Sequence, residues 1–482
     1  MDIDVLVAGA GPVGLFLAAE LRLAGARVTV LEQLATPSTA RKARGIGVLA
    51  TEALARRGLG ARLAEADVEG TRDLEREHGS VLGHFAGIHK LDPALADPGR
   101  HATRIWQPEL ERLLSGHAES LGVRVERGHE VTGFVSDVDG VTVTARAEAG
   151  ERRLRAAFLV GCDGGRSTVR KLGGFAFPGT PPLLRTVAGR VRFAEPAGVP
   201  AAGRYPTGDF LRGGDLAGVT EPATASPEAK GPVSPAELAT AIERVTGVPV
   251  PVETVDDGRR FGDQARQVTE YRRGRVLLAG DAAHVHSPSG GQGLNLGLLD
   301  AANLGWKLAA VAAGTLPDAV LDTYGAERHP AGAAVLRNTR AQSALLAPGA
   351  HVDALREILA EVLDRPGANR YFSELLSGTG LRHDFPYAAG LPSYVGQHSP
   401  DLEPVNDDGR RSRLSEHTRT GRGLLLLGPG DRGLAAAADG RVDVLAVRDP
   451  PSQLIRPDGV VAWAGDPAVL PIALDTWFGR SR

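Results

Sequence analysis

Asp4-Val-Leu-Val-Ala-Gly9-Ala-Gly11-Pro-Val-Gly14 decides how the chain begins to fold. An apolar run leads into three glycines in a GxGxxG pattern, and a second apolar run, Val28-Thr-Val-Leu-Glu32, ends in an acidic residue. This order predicts a strand, a tight turn, a helix and a second strand, which is typical of a dinucleotide-binding unit. We expect Gly9 to permit the turn, Gly11 to let a pyrophosphate approach the backbone, and Gly14 to let the helix pack closely on the strand.

The residues around this turn indicate where a ligand would lie. Pro12 starts the helix predicted over residues 12–24, whose positively polarised end would face the phosphates of a ligand. Glu32 follows the last glycine by about 20 residues, the position of a carboxylate that binds an adenosine ribose. NAD and FAD share their adenosine half, so this motif alone fits either cofactor.

Composition and charge exclude several classes of protein. The 482 residues are enough for two or three domains. A net charge of −3, from 55 Lys and Arg against 58 Asp and Glu, gives no electrostatic reason to expect a nucleic-acid partner. Cys162 is the single cysteine, so the chain can form neither an intrachain disulfide nor a Cys-rich metal cage.

Two further patterns concern location and metals. The first predicted strand begins almost at Met1, and no run reaches the roughly 18 apolar residues that span a bilayer, so we expect a cytoplasmic protein with no membrane partner. His284 and His286 form an HxH pair without a third ligand set nearby, and we therefore expect no metal site.

Changes in character along the chain predict four segments. Residues 1–174 have a βαβ pattern with a small inserted sheet, and residues 175–273 have the Pro and Gly-Gly content of an antiparallel insertion, with a loop over 222–232. Ser234, Pro235 and Glu237 predict a helix start with a capping box. Residues 274–397 bring a buried strand that ends at Asp281, a Gly-rich loop and long helices, and residues 398–482 form a separate small unit.

Three motifs in this order carry a family resemblance. They are Gly9-x-Gly11-x-x-Gly14 with Glu32, Cys162-Asp163-Gly164-Gly-Arg-Ser-x-x-Arg170, and Gly280-Asp281-Ala-Ala-His284 followed by Gly290-Gly-Gln-Gly-Leu-Asn295. Together they resemble the class A flavoprotein aromatic hydroxylases, which are FAD-dependent monooxygenases. The segment Leu454-Ile-Arg-Pro-Asp-Gly-x-Val-Ala-Trp463 is similar to the thioredoxin-like third domain of actinobacterial aromatic polyketide hydroxylases and rifampicin monooxygenases.

The resemblance implies an α/β fold made of three units. These are a Rossmann-like FAD-binding domain (residues 1–174 and 274–397), an inserted antiparallel-sheet substrate domain (175–273), and a C-terminal thioredoxin-like domain (398–482). The last unit lacks the CxxC pair of redox-active thioredoxins, so we expect a structural or interface role for it.

The resemblance also implies roles for individual residues. Glu32 would bind the adenosine ribose, and Arg44 and Gln107 would lie beside the cofactor. Asp163 would serve both FAD and the visiting nicotinamide, and Asp281 would accept a hydrogen bond from the ribityl chain. The isoalloxazine edge would be held by the backbone around Pro288, Gly291, Gly293, Leu294 and Asn295. No catalytic side chain is assigned, because the flavin performs the oxygen chemistry.

The implied function is hydroxylation of a polycyclic aromatic polyketide in antibiotic biosynthesis through a flavin C4a-hydroperoxide, with O2 and NADPH or NADH consumed. Three alternatives stay open: an antibiotic-inactivating monooxygenase of the rifampicin type, Baeyer–Villiger oxygenation of a polyketide ketone, and a flavin-binding scaffold without turnover. The nicotinamide is expected to bind transiently while the flavin ring moves between two positions, which mobile loops near residues 41–47 and 288–295 would permit. We expect a monomer or a homodimer.

Overall fold

The structure is a computed structural model that describes residues 2–67, 83–96, 98–225, 230–407 and 409–480. A sheet of eight strands lies at its centre. Five of these strands are parallel neighbours, in the spatial order Val276–Leu278, Gly150–Gly161, Ile3–Ala8, Val28–Glu32 and Arg124–Arg127. Three antiparallel strands complete the sheet: Arg272–Arg273, Glu130–Ser136 and Val141–Ala147.

The parallel order brings the sequence motifs to one edge of the sheet. The strands that end at Ala8, Glu32, Gly161 and Leu278 all point their carboxyl ends the same way. Each of the three motifs begins directly after one of these ends. In open α/β sheets, ligands bind outside the carboxyl ends of the strands, so the topology itself gathers the predicted site residues.

Two buried helices pack together beside this sheet. They are Pro12–Leu23 and Gln292–Ala312, and the second is called the central helix below. Gly305 allows their close approach, because a Cβ atom there would overlap the side chain of Glu20. Other helices of the structure include Val48–Ala55, Pro93–Ala96, Gln107–Ser120, Thr168–Leu172, Pro235–Thr246, Asp322–Leu346, Ala350–Leu363, Pro366–Ser377, Leu414–His417, Ala435–Ala438 and Leu470–Phe478.

The insertion is an antiparallel sheet with a helix on one face. Its strands lie in the order Gly203–Tyr205, Gly208–Gly213, Leu216–Pro222, Leu184–Phe193 and Val252–Gly262. Leu238 and Ile242 of the helix Pro235–Thr246 pack on the buried Phe210 and Val219 of the sheet. Two smaller sheets accompany it: Gly179–Thr180 with Ala265–Gln267 and His284–Val285, and Gly83–Phe85 with Ile88–Leu91.

The C-terminal unit contains a mixed five-stranded sheet. Its strands lie in the order Val405–Asn406, Asp443–Asp449, Leu424–Leu427, Gln453–Ile455 and Val461–Ala464. The fully buried strand Leu424–Leu427 runs parallel to Asp443–Asp449 and antiparallel to Gln453–Ile455. Its apolar core includes Trp463 and Leu474 and continues to Trp306 of the central helix.

Several local predictions need correction. The sequence pattern over residues 103–121 predicts one helix, but the helix begins at Gln107, because residues 103–106 are extended and pair with residues 43–46. The strand expected over residues 274–281 is limited to Val276–Leu278. Ser234 caps its helix as expected, since its hydroxyl accepts the Glu237 N–H at 3.2 Å, and the Glu237 carboxylate also accepts bonds from Arg260, which the sequence did not predict.

Two further expectations concern a loop and membrane-spanning segments. Residues 226–229 of the loop expected over 222–232 lie outside the described residues. Within the described ranges, no helix has the length and apolarity that crossing a membrane requires. The boundaries of the four segments stay predictions.

Candidate functional site

A cavity of about 1170 Å³ follows the carboxyl edge of the central sheet. It exceeds the roughly 300–1,000 Å³ of most small-molecule pockets, as an extended ligand requires. All but one of the predicted cofactor-binding residues line it: Gly9, Gly11, Pro12, Glu32, Arg44, Gln107, Asp163, Asp281, Pro288, Gly291, Gly293, Leu294 and Asn295. Gly14 is the exception, because it is buried one turn into the first helix.

The three glycines of the first turn differ in what surrounds them. Gly9 has φ +105°, and a Cβ atom there would lie 2.5 Å from the carbonyl oxygen of Cys162. A Cβ atom on Gly14 would overlap the carbonyl oxygen of Gly9. Gly11 has φ −74°, and a Cβ atom there would meet no protein atom within 4 Å. Gly9 and Gly14 are therefore required by the protein itself, whereas Gly11 keeps space open on the cavity side.

The carboxylate of Glu32 is held beside this turn. Its two oxygens accept the N–H groups of Ala10 at 2.7 Å and Leu34 at 2.8 Å, and the residue is 9% exposed. An ionised carboxylate has about four acceptor sites, so these two bonds leave capacity for hydroxyl donors from the cavity. The geometry fits a ribose.

The carboxylate of Asp163 is held by donors of its own segment, and its role toward FAD and the nicotinamide stays a prediction. Its carboxylate accepts the N–H groups of Thr168 at 2.7 Å and Val169 at 3.0 Å, together with the Ser167 hydroxyl at 2.5 Å. The side chain therefore caps the short helix Thr168–Leu172. We expect the Asp163 segment to meet a ligand through its backbone rather than its carboxylate.

The side chain of Asp281 is available to a ligand in the cavity. It is exposed on the 3₁₀ turn Gly280–Ala282, and its carboxylate has no hydrogen-bond partner within the described part of the chain. The turn is fixed from below, where the Gly280 N–H donates to the buried Asp300 at 3.1 Å. Asp281 is thus held at the cavity wall by its backbone while its side chain stays available.

Asp300 and its partners were not predicted as site residues. Burial by itself would raise the pKa of the Asp300 carboxyl, but His284 at 2.7 Å and Arg328 at 2.8 Å hold that pKa below its usual value. Arg328 also donates to the Leu296 carbonyl at 3.1 Å. A carboxylate within the apolar run Leu298-Leu299-Asp300-Ala301-Ala302 was the signal in the sequence, since a buried acid needs partners.

A short backbone ladder brings Arg44 and Gln107 together. Ile46 and Thr103 exchange two hydrogen bonds of 2.9 Å, the Arg44 carbonyl accepts the Ile105 N–H at 3.1 Å, and the Ala43 carbonyl accepts the Gln107 N–H at 3.0 Å. The Arg44 guanidinium lies 5.4 Å from the centre of the Trp106 ring. The segment expected to be mobile is therefore tied along residues 43–46.

The side chain of Asn295 links that ladder to the Gly-rich loop. Its Oδ1 accepts the Gly47 N–H at 2.5 Å, and its Nδ2 donates to the Gly291 carbonyl at 2.8 Å. Gly290 and Gly291 have φ of +76° and +63°, a conformation that glycine adopts readily. Asn295 was predicted to act through its backbone, and the latch formed by its side chain was missed.

Two further polar groups of the wall, His286 and Cys162, are neutral. The His286 Nδ1 lies 2.7 Å from the Ser287 carbonyl and therefore carries the proton, while the buried Nε2 has no partner within the described residues. Burial lowers the pKa of His286 and raises the pKa of the Cys162 thiol well above its usual value. The sulfur is thus a neutral thiol and a poor nucleophile.

The cavity fits FAD along its length. The strand order places Glu32 first along the sheet edge, then the open backbone of Gly11 with the helix N-terminus, and then Asp281, while the loop at 288–295 also lines the cavity. These groups match a ribose, a diphosphate, a hydroxylated chain and a flavin ring in that order. FAD would be held mainly by backbone and two carboxylates.

Comparisons with known families agree with this reading. A family model described as an FAD binding domain matches residues 2–339. A second model, described as the C-terminal domain of aromatic-ring hydroxylases, matches residues 393–481.

Curated relatives cover nearly the whole chain. The chain is 42% identical to 12-dehydrotetracycline 5-monooxygenase/anhydrotetracycline 6-monooxygenase of Streptomyces rimosus, with 99% of each chain aligned. It is 40% identical to the rifampicin monooxygenase of Streptomyces venezuelae, again over 99% of each chain. The solved structure of an anhydrotetracycline hydroxylase from Streptomyces rimosus superposes with a TM-score of 0.89 at 40% identity and covers 100% of both chains. The predicted fold class is confirmed.

Proposed function

The chain belongs to the FAD-binding aromatic-ring hydroxylases, and from this premise we propose that it hydroxylates a polycyclic aromatic polyketide with O2 and NADPH or NADH. It is an FAD-dependent monooxygenase. The observation that carries the proposal is the 1170 Å³ cavity, because three motifs that are far apart in sequence line it together. The tetracycline and rifampicin relatives support a large aromatic substrate.

The inserted sheet offers a surface for such a substrate. Val187 and Val219 are paired opposite each other and face the helix Pro235–Thr246, so the alternating neighbours Thr186 and Thr220 face the other way. Phe261 is paired with Thr186, and Leu211 is paired with Gly218, so both lie on that second face. Their side chains are 39% and 59% exposed. Exposed apolar side chains on an uncovered sheet face are suited to an aromatic ligand.

This face is tied to the rim of the cavity. Arg259 is paired with Ala188 and therefore lies on this second face. Its guanidinium donates to the Arg41 carbonyl at 3.2 Å. Arg41 directly precedes residues 42–44 in sequence, and those residues line the cavity. At the other edge of the sheet, Arg204 donates to the carbonyls of residues 346 and 347. The apolar face therefore borders the FAD cavity, and we infer that the substrate lies between them.

The chain's own residues have three tasks in this reaction. Glu32 and the N-terminus of the first helix bind the adenosine diphosphate half of FAD, and Asp281 binds its hydroxylated chain. The backbone at residues 291–295 orients the ring, with Asn295 holding that loop against Gly47. His286 presents an acceptor and no positive charge to the surroundings of the ring.

When bound, FAD supplies the two-electron acceptor for the nicotinamide and the site of O2 activation. The overall reaction balances as ArH, O2, NAD(P)H and H⁺ giving ArOH, H2O and NAD(P)⁺. One oxygen atom enters the ring and the other leaves as water, with both electrons coming from the nicotinamide.

Inactivation of an antibiotic of the rifampicin type is the second candidate, and the 40% identity to a rifampicin monooxygenase favours it. The test is to incubate the purified holoenzyme and NADPH separately with anhydrotetracycline and with rifampicin, and to analyse the products by mass spectrometry. We expect faster NADPH oxidation and a gain of one oxygen atom with anhydrotetracycline. Oxidation of rifampicin alone, together with resistance in a sensitive host, would support the second candidate. Oxidation of neither compound would overturn both substrate assignments.

A ring-expanded Baeyer–Villiger product also gains one oxygen atom. Fragmentation and NMR of the product distinguish a new phenol or alcohol from the ester that Baeyer–Villiger oxygenation forms. The proposal requires a hydroxyl group.

A further inference from the structure

The C-terminal unit contributes no residue to the wall of the FAD cavity. Within the described residues, the lining extends no further along the chain than Leu376. The unit nevertheless reaches the helices that build the cavity through Arg456 and Asp458, which lie in the turn between its last two strands. Both side chains are almost fully buried, at 0% and 1% exposure.

These two residues belong to a buried charge network. Arg456 donates two parallel bonds to Glu327, at 2.8 Å and 2.7 Å, and two more to Asp458, at 3.1 Å and 2.5 Å. Lys307 contacts Glu327 at 3.1 Å. Asn303 donates to Glu327 at 2.6 Å and to Asp458 at 3.2 Å. Two cations face two carboxylates, with one amide between them.

The environment of the network is dry and aromatic. The Arg456 guanidinium lies 4.4 Å from the centre of the Trp477 ring and 5.6 Å from that of Trp306. Burial by itself would raise the pKa of Glu327, but Arg456 and Lys307 hold that pKa well below its usual value. Removing one member of such a set leaves a buried charge without its partner, so the remaining members must move or admit water.

The network is joined to the FAD cavity along the central helix. Gly293 and Asn295 line the cavity at the first turn of this helix, Asp300 holds the Gly280 N–H, and Asn303 and Lys307 enter the network further on. The distance from Asn295 to Asn303 is about 12 Å along the axis at 1.5 Å per residue. A shift of Asn303 is therefore a shift of the loop that Asn295 latches.

A second connection runs through the neighbouring helix. Glu327 and Arg328 are adjacent in sequence and both contact the central helix. Glu327 binds Arg456 and accepts a bond from Asn303, whereas Arg328 binds Asp300 and the Leu296 carbonyl. Through Glu327, the C-terminal unit is therefore connected to the central helix at a second place, closer to the flavin loop.

We propose that the C-terminal unit sets the geometry of the FAD cavity through Arg456 and Asp458, which act as positioning residues for the central helix. The inference rests on FAD binding in the cavity and not on the identity of the substrate. The network does not touch the cofactor, so its loss changes FAD affinity by displacing Asn295 and Gly280.

The experiment compares full-length holoenzymes of the wild type and the Arg456→Met, Arg456→Lys and Asp458→Asn variants. FAD dissociation is followed by the rise in free-flavin fluorescence on dilution, together with the flavin absorption spectrum and the melting temperature. We expect Arg456→Met to raise the Kd of FAD roughly tenfold, within the 5- to 150-fold range common for coupled sites, and to alter the flavin spectrum. Arg456→Lys keeps the charge but loses the two parallel bonds. Its Kd for FAD should therefore lie between those of the wild type and Arg456→Met.

Leu426→Ala is the matched control. Leu426 is fully buried in the C-terminal unit, so the substitution leaves a cavity there without touching the network. It should lower the melting temperature while the Kd of FAD and the flavin spectrum stay at wild-type values. A change of Kd that merely follows the melting temperature across all variants, control included, would show general destabilisation and overturn the proposal.

Asp458→Asn keeps the inference testable if Arg456→Met does not fold, because it preserves shape and changes only the charge. A folded Asp458→Asn protein with wild-type Kd and spectrum would also overturn the proposal. None of these outcomes depends on whether a polyketide is hydroxylated, so failure of the proposed function would be recognised separately.

Discussion

Replacing Gly11 with alanine should remove FAD from a protein that still folds. Gly11 has φ −74° and ψ 178°, which alanine adopts without strain, and the added methyl group meets no protein atom within 4 Å. The apoprotein should therefore keep its stability to within about 1 kcal/mol, because the lower entropy of the unfolded chain and the poorer N-cap that alanine forms act in opposite directions. Because Gly11 lines the cavity, the methyl group occupies the space through which a diphosphate approaches the backbone.

The expected loss of FAD affinity follows from the contact that the methyl group prevents. A hydrogen bond from a backbone N–H to a charged phosphate contributes about 1.5–3 kcal/mol, so losing one raises the Kd roughly 10- to 150-fold. The assay is fluorescence titration of the deflavinated protein with FAD, alongside thermal unfolding of the apoprotein. Gly14→Ala should behave differently, because its Cβ atom overlaps the Gly9 carbonyl and prevents the native packing with or without cofactor.

Gly116→Ala is the matched control for Gly11→Ala. Gly116 lies in the helix Gln107–Ser120, and a Cβ atom there also meets no protein atom within 4 Å, but the residue does not line the cavity. It should bind FAD as the wild type does. A Gly11→Ala protein with the same FAD affinity as this control would refute the assignment of the diphosphate to the first turn.

Three further predictions concern the cavity and the fold. Asp281→Asn should raise the Kd of FAD several-fold in fluorescence titration and leave the melting temperature of the apoprotein unchanged, since the carboxylate has no partner within the described residues; a large loss of stability would contradict this. Asn295→Ala breaks the latch to Gly47 and should increase the rate of FAD dissociation by roughly tenfold in stopped-flow fluorescence, and an unchanged rate would argue against the latch. Burial lowers the pKa of His383 to about 4 and of His398 to about 3, so both are neutral in the folded protein while the unfolded chain binds protons below about pH 6.5. The free energy of unfolding should therefore fall from pH 6.5 towards 4, by up to about 1.4 kcal/mol per pH unit for each proton taken up, and replacement of both by Gln should flatten this slope in urea titrations.

Contiguous motifs predicted the site well because their residues are fixed by local geometry. Gly9, Gly11 and Gly14 have backbone environments that follow from one strand-turn-helix unit, and parallel pairing then brings Glu32 and Asp281 to the same edge. Cofactor identity needed the second and third motifs, since the first fits both NAD and FAD.

Side-chain partners distant in sequence could not be predicted. Glu237 binds Arg260 of the inserted sheet, because its carboxylate takes the donors that the tertiary fold places nearest. The pairing of Asn303 with Asp458 joins residues from two different units. Sequence spacing carries no signal for contacts of this kind.

Backbone pairing also overrode a local pattern at the cavity rim. Residues 103–106 fit the start of a helix by composition, but they are extended because they pair with residues 43–46. This pairing is what brings Gln107 next to Arg44. The extended conformation of residues 103–106 therefore helps to form the cavity wall.

The central claim is that this chain inserts one atom of O2 into an aromatic polyketide. The most direct measurement is the reaction of holoenzyme, NADPH and anhydrotetracycline under ¹⁸O2, with the product analysed by mass spectrometry and NADPH consumption recorded. We expect a hydroxylated product that carries one ¹⁸O atom, with one NADPH consumed for each product formed. A product without ¹⁸O, or NADPH oxidation that yields only hydrogen peroxide while the aromatic compound is recovered unchanged, would contradict it.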